Sequence, residues 1–326
     1  MLDDMTDSKI SPDILAKLGP RAVYGQFLLE TALKDSKVVA LSADLGNSSG
    51  LERFKNSLPE RFIDVGIAEQ QLVAMSAGLA KEGFIPFASS FAPFLSLRAA
   101  EQVRMNLGYM NLNVKLVALG SGVSMGFLGN SHYGLEDLAV MRSIPNITIL
   151  TPSDGIEIKK SIEIAREIDG PVYIRLTGIP GMGVLHEKDF QVKIGEPSVW
   201  NGNQQIAILS HGYVTQECYS SVLALKKLGI GVTLYAFMTI APLDIRTIEK
   251  IASEHTKLLI VEEHFKIGGL SSAISEIELR HGLKSKFYQL SLGSAYGPTG
   301  EYRFLLDHHG LSSAKIVDKI MKLMND

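Results

Sequence analysis

The chain has 326 residues, of which 46% are hydrophobic and 21% are charged, a composition typical of packed globular domains and not of disordered chains. The formal net charge of −3 gives no support for nucleic acid as a partner. The sequence also contains no apolar run of the roughly 18 residues that a membrane span requires. At about 100 to 200 residues per domain, the length predicts two domains. The single cysteine, Cys218, excludes an intrachain disulfide and favours a cytoplasmic location.

Short apolar runs alternate with longer amphipathic segments along most of the chain. In chain order, strands are predicted at residues 38–42, 61–65, 84–88, 114–119, 147–150, 172–176, 205–210, 232–237, 257–262 and 286–290. Helices are predicted between them at 69–81, 93–107, 157–167, 214–228, 243–253 and 270–281. Because the strands are rich in Val, Ile and Leu, this alternation predicts an α/β protein with two mostly parallel-sheet domains and helices on both faces.

The alternation is interrupted by a stretch that contains several glycines and two prolines, Pro180 and Pro197. Such a composition indicates an extended connection and not a packed element. We therefore predict an N-terminal tail at residues 1–14, a first domain at 15–178, a linker at 179–203 and a second domain at 204–326.

The segment 61–71 combines a strand, a turn and a helix start. The predicted strand ends at Val65, Gly66 permits a tight turn, and Glu69 falls at the beginning of the next helix. In open α/β sheets, ligands bind beyond the carboxyl ends of the strands, so Glu69 is a candidate site residue. Glu69 could equally serve only to complement the positive end of its helix.

Two further segments follow predicted strand ends. Phe91 and Phe94 share a face if their segment is helical, which suits either core packing or a platform for a flat ring. The glycine-rich segment 119–136 has the spacing GxGxxxG, which does not fit a dinucleotide-binding loop. It carries His132, which is either a structural histidine or a group that contacts substrate oxygens.

Arginines offer possible anion-binding groups near the same strand ends. Arg175 lies near the end of a predicted strand, where it could pair with a carboxylate or bind a phosphate. Arg21 and the loop 43–50 offer similar options.

Several separated segments together resemble the transketolases and the related deoxyxylulose-phosphate synthases. The resemblance covers about residues 15–326 and implies a thiamine diphosphate pyrimidine-binding fold followed by the transketolase C-terminal domain. The matching segments are RFIDVGIAEQQ, SSFAPFLSLRAAEQVR, SHYGLEDLAVMRSIPNITILTPSDGIE, PVYIRL, LLIVEEHFKIGGLSSAISE and GPTGEYRFLLDHHGLSSAKI.

The resemblance implies thiamine diphosphate as the cofactor and assigns a role to each candidate residue. Glu69 would be catalytic through a hydrogen bond or proton to N1′ of the aminopyrimidine, and His132 would be catalytic at the substrate oxygens. Other matched positions are implied to contact the cofactor (Phe91, Phe94 and Asp44) or the substrate (Arg21, Ser48, His132 and Arg175).

Three positions depart from the family pattern. Gly120 stands where transketolases typically carry a histidine, Leu128 where many relatives carry an aspartate, and Leu97 where an aromatic residue is common. Because a site that reads hydroxyl groups discriminates strongly, the loss of two polar contacts predicts a less hydroxylated or otherwise modified ketose donor.

The family's diphosphate-binding domain, with its Gly-Asp-Gly run and a later Asn, has no counterpart here. The nearest match is Ser153-Asp154-Gly155, which we interpret as a helix cap. We therefore predict the C-terminal subunit of a split transketolase, with an N-terminal partner subunit that binds Mg²⁺ or Ca²⁺. The expected assembly is an α2β2 heterotetramer that acts on a sugar substrate and binds neither nucleic acid nor membrane.

Two alternatives remain open at this point. The chain could be a subunit of a deoxyxylulose-phosphate-synthase-like or 2-oxoacid-decarboxylating enzyme, which also use thiamine diphosphate. It could also be a non-catalytic regulatory paralogue that kept the fold, although Glu69 and His132 argue against this.

Overall fold

The computed structural model describes residues 12–181, 183–187, 190–200 and 205–325. Most of the predicted tail, residues 1–11, lies outside these ranges. Within them the chain forms one sheet of seven strands and another of five. None of the helices in the described ranges has the length and apolar character needed to cross a membrane.

The strands mostly coincide with the predicted ones. In the described ranges they are β1 (Val38–Ser42), β2 (Phe62–Asp64), β3 (Ile85–Phe91), β4 (Lys115–Leu119), β5 (Thr148–Leu150), β6 (Val172–Arg175), β7 (Ser198–Trp200), β8 (Ile206–Ser210), β9 (Thr233–Ala236), β10 (Thr239–Ala241), β11 (Lys257–Val261) and β12 (Lys286–Leu290). All ten predicted strands are confirmed; β7 and β10 were not predicted.

Both sheets are parallel except at one edge. The seven-stranded sheet has the order β10-β5-β6-β4-β3-β1-β2, and the five-stranded sheet has the order β12-β11-β8-β9-β7. Among the described strands, only β10 and β7 at the sheet edges pair antiparallel with their neighbours, β5 and β9. The predicted class of two mostly parallel sheets is confirmed.

Helices cover these sheets. In the described ranges they are α1 (Pro12–Lys17), α2 (Pro20–Lys34), α3 (Glu52–Ser57), α4 (Glu69–Lys81), α5 (Ala100–Gln102), α6 (Asp137–Arg142), α7 (Gly155–Glu167), α8 (Val214–Lys227), α9 (Ile245–Glu254), α10 (Leu270–His281), α11 (Tyr302–His308) and α12 (Ser313–Asn325). Successive residues of β1 pack into different clusters: Val39 and Leu41 into one, Val38 and Ala40 into another. Because successive strand residues point to opposite faces, both faces of the first sheet are covered.

The segment predicted as helical at 93–107 is helical, but it is not one continuous α-helix. The chain instead forms a π-helical turn at Phe94–Arg98, the short helix α5, and a second π-helical segment at Val103–Tyr109. A π-helix carries an extra residue per hydrogen-bonded turn, which the apolar periodicity of the segment does not reveal. Such turns are frequent at functional sites.

Two strands connect regions that the sequence analysis separated. β7 lies inside the predicted linker and pairs with β9 of the second sheet. β10 follows β9 in the chain but pairs with β5 of the first sheet. The chain after residue 203 therefore contributes to both sheets, so the two units share a continuous hydrogen-bonded connection.

The parallel order brings one set of loops to a common edge. β2, β1, β3 and β4 are consecutive neighbours in the first sheet, so their carboxyl ends lie side by side. The loops that follow them carry most of the candidate site residues, and in open α/β sheets this edge is where ligands bind.

Candidate active site

Glu69 begins α4, after the turn that follows β2. Gly66 forms this turn with φ of +72°, a conformation that favours glycine. The Glu69 side chain is only 2% exposed. Its Oε1 accepts a hydrogen bond from Ser90 Oγ at 3.2 Å, and its Oε2 accepts one from Arg98 Nη1 at 2.6 Å. Both donors belong to other segments of the chain, so Glu69 does more than complement its own helix.

Phe91, Phe94 and His132 form an aromatic group near this carboxylate. The ring centroids lie 5.9 Å apart for Phe91 and Phe94, 5.6 Å for Phe91 and His132, and 5.4 Å for Phe94 and His132. All three pairs meet edge to face, a favourable arrangement for aromatic rings. The Arg98 guanidinium lies 4.1 Å from the Phe94 centroid and so connects this group to Glu69.

The loop after β1 is tied to the turn before Glu69. Asp64 Oδ1 accepts hydrogen bonds from the backbone N–H groups of Asp44 at 3.0 Å and Gly66 at 2.9 Å. Asp44 is exposed and adopts φ of +56°. Further along the loop, the Ser48 carbonyl accepts a hydrogen bond from Arg21 Nη1 at 3.1 Å, and burial lowers the pKa of Arg21. The predicted anion-contacting residues Arg21 and Ser48 thus lie together.

Arg175 does not belong to this group. Its side chain is 1% exposed, and its Nε donates to Asp137 Oδ2 at 2.8 Å. Its Nη2 donates to the carbonyl oxygens of Gly134 at 3.0 Å and Glu263 at 2.9 Å. Nε and Nη2 are therefore engaged within the protein and are not available to a substrate phosphate. The geometry favours the alternative interpretation, a structural ion pair, and substrate binding by Arg175 stays a prediction.

Glu263 continues this buried network into the glycine-rich loop. Its Oε1 accepts a hydrogen bond from the Val123 N–H at 2.8 Å, and its Oε2 accepts one from Tyr302 Oη at 2.7 Å. Gly122 adopts φ of +65°, and a Cβ there would lie 2.1 Å from Glu263 Oε1. The second domain therefore fixes the start of the loop that carries His132.

Burial raises the pKa of Glu263 to about 7, above its ordinary value of 4.5. Between about pH 4.5 and pH 7 the folded chain therefore holds this proton more firmly than the unfolded chain, and stability falls as pH rises. Each unit of pKa difference corresponds to about 1.4 kcal/mol. We expect Glu263→Gln to reduce this slope, measured by urea unfolding from pH 5 to pH 7.5.

Part of the slope should remain in that variant, because burial also raises the pKa of Glu157 to about 7. A suitable control is Glu101→Gln, since a hydrogen bond from Arg104 lowers the pKa of Glu101 and its titration falls below this range. An identical slope in Glu263→Gln and the unmodified chain would contradict the assignment.

Comparison with known proteins identifies the family. Residues 16–178 match the transketolase pyrimidine binding domain, and residues 195–316 match the transketolase C-terminal domain. The chain belongs to the transketolase family. Members of this family depend on thiamine diphosphate.

Three relatives refine this placement within the transketolase family. The chain is 33% identical to the 6-deoxy-6-sulfo-D-fructose transketolase subunit SqwH of Clostridium sp. (strain MSTE9), over 91% of this chain and 92% of that protein. It is 33% identical to the 1-deoxy-D-xylulose-5-phosphate synthase of Dictyoglomus thermophilum, over 93% of this chain but 49% of the synthase. A solved structure described as a split gene transketolase, an inactive beta4 tetramer, superimposes with a TM-score of 0.81 at 32% identity, covering 94% of this chain and 97% of that chain.

The residues at the sheet edge fit the aminopyrimidine of the transketolase cofactor. A buried carboxylate, Glu69, offers hydrogen-bond acceptors, and the partly exposed ring of Phe94 offers an apolar face beside it. The present partner of Glu69, Arg98, is 45% exposed and reaches the carboxylate from the solvent side. A flat ring with N–H groups matches both features of this site.

The structure also locates the three positions that depart from the transketolase pattern. At Gly120, with φ of +64°, a Cβ would lie 2.3 Å from Met125 Sδ and 3.5 Å from Phe91 Cδ1. Gly120 therefore adjoins the aromatic group, with Met125 filling the space of a side chain. Leu97 and Leu128 are both about half exposed, at 49% and 51%. Neither supplies a polar group to a substrate.

The helix-cap interpretation of Ser153-Asp154-Gly155 is confirmed. Asp154 is the N-cap of α7, and its Oδ1 accepts a hydrogen bond from the Glu157 N–H at 2.8 Å. Its Oδ2 accepts hydrogen bonds from the N–H groups of Leu185 at 2.7 Å and His186 at 2.9 Å. These contacts account for the aspartate without a metal ion.

Sequence reasoning missed three residues that hold the site together: Ser90, Arg98 and Asp64. Ser90 and Arg98 contact Glu69 across 21 and 29 residues of chain. Arg98 follows Phe94 by four residues, which favours a contact between these two side chains on one helical turn. This spacing could have indicated the contact of Arg98 with Phe94 from the sequence, but it does not indicate the contact with Glu69.

Proposed function

We propose that this chain is the C-terminal subunit of a thiamine diphosphate-dependent transketolase-like enzyme. The enzyme transfers a two-carbon ketol unit from an anionic ketose to an aldehyde acceptor. The observation that carries this proposal is the buried carboxylate of Glu69 beside Phe91, Phe94 and His132, at the carboxyl ends of parallel strands.

Each residue at the sheet edge has a defined task in this proposal. When bound, the cofactor supplies the carbon nucleophile through C2 of its thiazolium ring. Glu69 holds a proton or hydrogen bond at N1′ of the aminopyrimidine, and Phe91 and Phe94 pack against that ring. Asp44, on the loop tied to the Gly66 turn, would lie near the bound cofactor. His132 binds substrate oxygens and moves protons there.

An anionic ketose fits the chemistry of the remaining site residues. Arg21 carries a positive charge and contacts the loop at Ser48, so the two can bind a phosphate or sulfonate together. The relative from Clostridium is named for a sulfonated ketose. Gly120 and Leu128 leave two positions without polar contacts, which favours a donor with fewer hydroxyl groups or other modifications.

A separate N-terminal subunit completes the proposed enzyme. This chain covers 92% of the relative named as a subunit and 97% of the split transketolase chain. That latter protein, as a tetramer of one subunit type, is described as inactive. We propose that the partner binds Mg²⁺ or Ca²⁺ with the diphosphate, that the two form an α2β2 heterotetramer, and that they act in the cytoplasm, where the buried Cys218 stays reduced.

Binding of thiamine diphosphate should therefore require both chains. In isothermal titration calorimetry with Mg²⁺ present, we expect no micromolar binding to the isolated chain. We expect micromolar binding once an N-terminal subunit with the Gly-Asp-Gly…Asn run is added, because the diphosphate then gains its metal and donors. Micromolar binding to this chain alone would refute the split arrangement.

The donor substrate separates this proposal from the synthase-like alternative. The alternative is favoured by the 33% identity to a 1-deoxy-D-xylulose-5-phosphate synthase. Release of labelled CO₂ from pyruvate by the assembled enzyme identifies a decarboxylating enzyme, whereas transfer of label from a ketose without CO₂ identifies a transketolase. An assembly that binds the cofactor and turns over neither donor is a regulatory paralogue.

A further inference from the structure

We infer that the Arg98 side chain occupies, in the chain without cofactor, the place that the aminopyrimidine takes, and that it must leave for the cofactor to bind. This inference rests on the proposed function, which places the aminopyrimidine between Glu69 and Phe94. It makes Arg98 a positioning residue that keeps the pyrimidine site closed until the cofactor displaces it.

Arg98 makes both contacts that the aminopyrimidine needs. Its Nη1 donates to Glu69 Oε2 at 2.6 Å, and its guanidinium carbon lies 4.1 Å from the centroid of the Phe94 ring. A guanidinium is a planar group with N–H donors at its edge and a face that stacks on aromatic rings. An aminopyrimidine that bonds to the same carboxylate and packs on the same ring competes with it directly.

The side chain of Arg98 can move without disturbing the core. It is 45% exposed, although the Glu69 carboxylate that it reaches is 2% exposed. The backbone of Arg98 is held separately, because its carbonyl oxygen accepts a hydrogen bond from Gln70 Nε2 at 3.2 Å. A long side chain anchored at its backbone and open to solvent can swing outward while the π-helical turn stays in place.

The ion pair also gives Glu69 a partner in the absence of cofactor. A buried carboxylate without a nearby cation or donor is strongly unfavourable. Ser90 Oγ supplies only one bond, at 3.2 Å to Oε1, and Arg98 supplies the shorter one to Oε2. Arg98 thus stabilises the Glu69 carboxylate and, for the same reason, opposes the entry of the cofactor.

The competition predicts a measurable change in affinity. If Arg98 contacts Glu69 in most molecules, that state is closed to the cofactor. The apparent dissociation constant of the cofactor then rises in inverse proportion to the open fraction, in which Arg98 has moved away. For an open fraction of about one tenth, removal of the Arg98 guanidinium tightens cofactor binding about tenfold.

The test compares two arginines of one segment in the complex of both subunits. Arg104 is the matched control, because it pairs with Glu101 at 2.8 Å on the surface, where both side chains are more than half exposed. Thiamine diphosphate is titrated calorimetrically into the complex with Mg²⁺ present. We expect Arg98→Gln to lower the dissociation constant about tenfold and Arg104→Gln to leave it unchanged. An unchanged or higher constant for Arg98→Gln would overturn the inference.

A second measurement needs no cofactor. In the isolated chain, the melting temperatures of Arg98→Gln, Glu69→Gln and the double variant form a cycle whose non-additivity reports the ion pair. Additive changes would overturn the inference by showing that the pair does not form. Absence of cofactor binding to both the unmodified complex and Arg98→Gln would overturn the proposed function and the inference with it. Equal binding by the two would overturn the inference alone.

Discussion

Replacement of Glu69 by alanine is expected to slow the exchange of the cofactor's C2 proton with solvent by about 10²- to 10⁴-fold in the assembled enzyme. This is the range that a positioned acid–base group contributes. Alanine removes the carboxylate that contacts both Ser90 and Arg98. The exchange is followed by proton NMR after acid quench of the complex in deuterated buffer.

The fold should survive this substitution. The Glu69 carboxylate disappears together with its negative charge, and Arg98, being 45% exposed, can return to water when its partner is lost. Size-exclusion chromatography should therefore show an unchanged complex. Glu101→Ala serves as the control, because Glu101 is an exposed glutamate that pairs only on the surface with Arg104 in the described contacts. Exchange at the unmodified rate in Glu69→Ala would refute the role assigned to Glu69.

The location of this site could be predicted because it follows from local patterns. The strand, the glycine turn and the helix start place Glu69 at the carboxyl end of β2 by the chain order of the residues alone. The rule that parallel strands open their carboxyl ends at one edge then brings Phe91 and the His132 loop to the same place. None of these steps required knowledge of a distant contact.

The partners of charged groups could not be predicted, because they depend on tertiary packing. An arginine in an apolar strand has the same local sequence whether it binds an anion or pairs with a carboxylate. The interpretation of Arg175 as an ion-pair member depends on its contacts with Asp137 and with the carbonyl at residue 263, which lie 38 and 88 positions away. β10 was not predicted for a related reason, because its hydrogen-bonded partner β5 belongs to the other domain.

The buried pair of Arg175 and Asp137 should therefore control stability. Burial opposes charge on Asp137, yet the Arg175 guanidinium holds the pKa of this carboxyl below its usual value, so the pair is ionised. Tyr173 Oη donates to the same carboxylate oxygen at 2.9 Å. We expect Asp137→Asn to reduce the free energy of unfolding by about 3–5 kcal/mol, because the guanidinium remains buried without its counter-charge. Urea unfolding of the isolated chain measures this loss.

A partly exposed ion pair, Arg142 with Glu276, provides the control. Arg142 Nη2 contacts Glu276 Oε2 at 3.0 Å, with Glu276 57% exposed, so Glu276→Gln should cost about 1 kcal/mol or less. Replacing both members of the buried pair, as Asp137→Leu with Arg175→Met, should recover part of the loss, because no charge is then left unpaired. A cost for Asp137→Asn no larger than that of Glu276→Gln would contradict a structural role. Arg175 would then have to be reconsidered as a group that the protein keeps available for an anion.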